Sequence, residues 1–83
     1  MNAERTPGRE RARAAAIRKL AEVGYLNCFA TVQGRRFVIS DKPRDRNGCR
    51  VDAEVGCALL IGRNVELVEG DSFSAAYRLT RLN

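Results

Sequence analysis

Residues 49–61 read CRVDAEVGCALLI, and the fold depends on how this stretch is taken. Its first half alternates. Cys49, Val51, Ala53 and Val55 fall on one side of an extended chain, with Arg50, Asp52 and Glu54 on the other. That is the period of a half-buried strand. Gly56 then predicts a bulge or bend before the apolar run 57–61, which reads as a further strand.

Upstream, residues 41–48 (DKPRDRNG) predict a loop, because Pro43 excludes a central strand and Asn47-Gly48 signals a turn. Before the loop, LNCFATV (26–32) places Leu26, Cys28, Ala30 and Val32 on one face and Phe29 on the other. A two-residue turn at Gln33-Gly34 would pair Ala30 with Phe37, Phe29 with Val38 and Cys28 with Ile39. Phe29 and Val38 then form a small exposed patch opposite the core. Downstream, Gly62-Arg63-Asn64 turns the chain, VELV (65–68) returns as a strand, and residues 69–71 turn it again. The last strand, within SFSAAYRLTRL (72–82), points Phe73, Ala75, Tyr77 and Leu79 inward.

The segment TPGRERARAAAIRKLAEVGYL (6–26) contains the single predicted helix. Thr6 is a fitting N-cap, Pro7 loses nothing at the first helical position, and Gly24 is a natural terminator. At 100° per residue Ala14, Ala16, Ile17, Leu20, Ala21 and Val23 fall on one side. Arg9 and Arg13 interrupt that stripe, which points either to acidic strands beneath them or to an anionic partner. The expected fold is therefore α+β: one N-terminal amphipathic helix packed on five or six antiparallel strands. Glycines 34, 56, 62 and 70 at the bends suggest a curled sheet, either open or closed into a small barrel. Residues 1–5 read as a disordered tail and 6–83 as one domain.

Charge is unevenly distributed along the chain. The total of +5 divides into +3 over residues 1–27, +4 over 28–50, −4 over 51–71 and +2 over 72–83. Histidine is absent, and serines 40, 72 and 74 have no imidazole to activate them. Lys19 and Lys42 sit on a helix surface and in a loop, unsuited to a lowered pKa. No glycine-rich phosphate loop occurs, and cysteines 28, 49 and 57 match no metal or disulfide spacing. An enzyme is not expected, nor is a cofactor or a bound metal. No signal peptide and no apolar run long enough for a membrane span are evident, so the chain reads as cytoplasmic.

What remains is binding. Arg35 and Arg36 at the hairpin tip, the loop's Lys42, Arg44, Arg46 and Arg50, and helix Arg9 and Arg13 are the candidate binding residues. Arginine forks suit phosphate, so nucleic acid, bare or within a nucleoprotein complex, is the first expected partner. The alternative is a protein target: in size and composition the chain resembles small inhibitors and adaptors of phages and plasmids, including anti-defence proteins. One helix followed by about five strands also resembles the element order of Sm-like ring proteins, which implies self-assembly, and a sheet edge would favour a homodimer. On this reading Arg44→Ala with Arg46→Ala should leave stability within about 0.5 kcal/mol.

Overall fold

The computed structural model describes residues 7–80, with side chains from Glu10 onward. The expected tail 1–5, the Thr6 cap and the Arg9 side chain lie outside the described residues. The elements follow one another as α1 (Pro7–Val23), β1 (Tyr25–Thr31), β2 (Gly34–Ser40), β3 (Cys49–Val51), α2 (Ala53–Ile61), β4 (Val65–Gly70) and β5 (Ser74–Leu79). The five strands form one open antiparallel sheet in the order β3-β2-β1-β5-β4. The fold is α+β as expected, but with two helices.

The extra helix lies in the stretch read as two strands. Alternation over residues 49–55 is short, and only residues 49–51 extend as a strand. From Ala53 the chain coils, so that Val55 and Leu59, four apart, share one buried side. The sheet order gives the reason. β3 and β4 lie at opposite edges, so the chain must cross the sheet between them. A helix lying over the face makes that crossing and satisfies its own backbone on the way. Gly56 is neither a bulge nor a bend. A Cβ there would fall inside the buried Phe37 ring, so glycine lets α2 lie directly on β2. The order of elements thus departs from that of Sm-like proteins at α2.

Residues 62–64 do turn the chain, ending α2 with paired bonds from Arg63 N–H to the Leu60 carbonyl (3.1 Å) and Asn64 N–H to the Leu59 carbonyl (3.0 Å). Arg63 takes the left-handed conformation this ending requires, at φ 58°.

Both helices cover one face. Ala16 and Leu20 of α1, Leu26 and Cys28 of β1, Phe37 and Ile39 of β2, Val55 and Leu59 of α2 and Val65 of β4 form the core, with Tyr77 and Leu79 packed against it. The α1 stripe is narrower than expected, and Ala14 and Ala21 are exposed. The β1–β2 hairpin turns at Val32-Gln33, one residue earlier than anticipated. Thr31 therefore faces Gly34, Cys28 faces Phe37 and Phe29 faces Arg36. The partner of each residue moves by two positions, so every side chain keeps its face. Gly34 is left at φ 119°, a value side chains rarely adopt, and Val32 is fully exposed at the tip. No described helix is long and apolar enough to cross a membrane.

Candidate nucleic-acid interface

The loop 41–48 does not stand off in water. It folds back as a strap over the second face of the sheet, the face turned away from the helices. Asn27 of β1, completely buried, holds it. Its side-chain amide donates to the carbonyls of Lys42 (3.0 Å) and Asp45 (3.2 Å), and its Oδ1 accepts from Arg44 N–H (2.7 Å). Ser40 Oγ donates to Asp45 Oδ2 (2.6 Å) and accepts from Lys42 N–H (3.2 Å), closing the near end of the strap. Gly48 lies so close to the Ile39 carbonyl and the Val38 side chain that no Cβ fits.

The strap buries what the sequence reading left exposed. Phe29 retains 2% of its surface and Val38 1%. The patch of Phe29 and Val38 expected to be exposed is therefore part of the interior. Covering each contributes on the order of 1.5–3 kcal/mol. Arg46 lies with its guanidinium carbon 4.5 Å from the Phe29 ring centroid, a cation–π contact that roofs the phenyl ring.

The structure sorts the candidate arginines into groups. Arg44, with φ 58°, swings across the sheet to β5 and the β4–β5 turn. Its Nε donates to Ser74 Oγ (3.0 Å), Nη2 meets Asp71 Oδ2 (2.9 Å) and Nη1 lies 3.8 Å from Glu69 Oε2. On the same side of the sheet Arg78 pairs with Glu66 at 3.0 Å. Arg13 projects elsewhere, its Nη2 beside Gly62 at the C-terminal end of α2, where the helix dipole favours a cation. Arg44 and Arg46 thus both make contacts within the fold, Arg44 to Ser74 and Asp71 and Arg46 to the Phe29 ring.

Arg35, Arg36 and Arg50 are brought together. They line one groove of about 400 Å³ with Thr31, Gln33, Val51, Asp52 and Ala53. The groove exists because β3 stops at Val51, opposite Phe37, and leaves the β2 segment carrying Arg35 and Arg36 without a neighbour on that side. Arg36 is the register partner of Phe29 across the β1–β2 ladder, while Arg46 covers the Phe29 ring. Arg36, Arg50 and Lys42 make no ion pair among the described residues. Arg35 bonds the Cys28 thiol, whose pKa burial raises more than the nearby guanidinium lowers it.

Two carboxylates steady the surroundings. Asp45 is held below the usual carboxylate range, first by the Ser40 hydroxyl and then by Asn47 N–H. Asp71 is lowered first by the N–H groups of Phe73 and Ser74 (2.8 and 2.9 Å), with Arg44 adding to them.

Sequence reasoning missed Asn27 and Phe73. Phe73 was expected inward but precedes β5 and is 75% exposed. An asparagine amid the apolar residues of β1 was the available signal for the first. The Gly70-Asp71-Ser72 run next to Phe73, which reads as turn chemistry, was the signal for the second. No family model matches the chain, and no curated protein or solved structure is significantly similar to it.

Proposed function

We propose that this chain is a non-enzymatic binding protein of the cytoplasm that holds nucleic acid by its phosphates. The reading rests on how the charges are sorted. The acidic side chains of β4 and the β4–β5 turn engage Arg44 and Arg78, while Arg35, Arg36 and Arg50 line a groove of their own at the hairpin end. Three guanidinium groups share this groove with one carboxylate, Asp52, and an incoming phosphate relieves the repulsion of the excess positive charge. Asp52 borders the groove and orients binding along its basic side.

Titration of fluorescent duplex and single-stranded oligonucleotides of random sequence across salt tests this reading. Affinity should fall linearly with log salt, and Arg36→Ala with Arg50→Ala should make the slope shallower. The expected change is about 0.7 per arginine on a single strand and about 0.9 on a duplex. No binding of either probe at low salt overturns it.

A second reading rests on β4. This edge strand carries exposed Leu67 and Val68 beside a register irregularity, and Ile61 is exposed at the end of α2. An apolar edge of this kind suits a protein partner, or a second copy of the chain in a homodimer.

A further inference from the structure

Phe73 is the largest aromatic surface the described molecule turns to solvent, and its backbone is fixed. Its N–H donates to Asp71 Oδ1 (2.8 Å) and its carbonyl accepts from Ala30 N–H (2.9 Å). The turn that carries it is thereby bound to the β1–β2 hairpin, at the same end of the sheet as the arginine groove. Phe73 lines a second, smaller cavity of about 150 Å³, bordered also by Ala30, Ser72, Ser74, Ala75 and Tyr77 and by the Asp71 carboxylate that Arg44 pairs. Arg35 lines this cavity and the arginine groove alike, so the two are adjacent.

We propose that Phe73 is a stacking platform for an unpaired base, and that the ligand of this surface is single-stranded nucleic acid. The proposal rests on the phosphate-binding reading above and narrows it. A base laid on the Phe73 ring leaves its sugar-phosphate backbone beside Arg35, from which the chain continues towards Arg36 and Arg50. Burying an exposed phenyl ring against a base face is favourable for any base, so the platform selects strandedness rather than sequence. A duplex keeps its bases stacked internally and offers Phe73 nothing. The small residues around the cavity leave room for the flat edge of a base, and Gln33 and Ser72 supply polar groups nearby.

The test uses the full chain, a labelled 12-nucleotide single strand and the same strand annealed to its complement. Phe73→Ala should weaken single-strand binding by roughly 5- to 150-fold, the range for one stacked base. It should leave duplex binding and thermal unfolding unchanged. Phe73→Tyr should restore single-strand affinity, whereas Phe73→Leu, apolar but not flat, should not. Equal losses on both probes, or full affinity in Phe73→Leu, overturns the platform while the salt slope of the arginine groove stands. If wild type binds neither probe, the phosphate reading and the platform both fall.

Discussion

Asn27 decides whether the second face of the sheet is dry. Only one orientation of its amide satisfies all three partners, two carbonyls and one N–H, so the strap sees a donor pair and an acceptor in fixed places. Asn27→Asp keeps the shape and removes both donors, setting a carboxylate against the carbonyls of Lys42 and Asp45. Each lost buried bond costs about 1 kcal/mol, and the exposed carbonyl dipoles add repulsion. The variant should lose about 2–4 kcal/mol in urea unfolding, and an unchanged midpoint would refute this role. The side chain was visible in the sequence, but its role was not. Alternation places Asn27 on the side of Phe29, a side that looks solvated until a loop fifteen or more residues later returns to cover it. Arg44 was hidden for the same reason, since its acceptors lie 27 and 30 residues ahead.

At the scale of elements, α2 rests on a missing side chain. Gly56→Ala gains about 1 kcal/mol of helix propensity. Against that, the new methyl occupies the space of a fully buried ring, and Phe37 is hemmed in by Leu26, Cys28 and Ile39 in the same core. Overpacking costs about 1–3 kcal/mol, at the upper end where nothing gives way. The substitution should therefore lower the thermal midpoint, and a raised midpoint would show that α2 can lift off β2 without loss. α1, β1, β2 and β5 were legible because each keeps its period for six residues or more, and β4 because its short alternation lies between two turn signals. α2 was not. Its first residues continue a strand alternation, and the run 57–61 is apolar all round, which periodicity cannot assign to helix or strand. What settles it is the need to cross from one sheet edge to the other, a property of topology.

Over the whole molecule, the charge asymmetry of the sequence becomes a spatial division. Part of the basic half is neutralised by the acidic half through Arg44, as composition allowed, and part gathers in the groove. Which arginine does which depends on strand order, so the list of candidates was legible and its partition was not. The strap is sensitive to acid through Asp45, held by the Ser40 hydroxyl and Asn47 N–H, and Asp71, held by the Phe73 and Ser74 N–H groups and then by Arg44. Asp45 and Asp71 have folded pKa values below their unfolded ones, so the stability they contribute is complete above the ordinary carboxylate pKa, about 4. It is lost as pH falls through the lowered folded values. Urea midpoints should hold steady between about pH 7 and 5 and decline below about pH 4. Asp45→Asn should flatten that decline, and parallel curves for variant and wild type would exclude Asp45 as a contributor.

The sheet order has a consequence in time as well as space. β5, the last strand along the chain, sits between β1 and β4, with four of its residues paired to the middle of β1. During synthesis α1 and the β1–β2–β3 meander emerge first, and their contacts are local enough to form early. Yet β1 then waits with one row of amides and carbonyls bare while the residues from Asp52 to Leu79 are made. At about 5–20 residues per second that wait lasts a few seconds. Throughout it, Asn27 and Phe29 lie on a strand whose edge any other extended chain could occupy. Arrival of β5 seals that edge and supplies Ser74, the acceptor to which the strap's Arg44 reaches. Completion of the sheet and closure of its second face are thus a single event, deferred until β5 has been made.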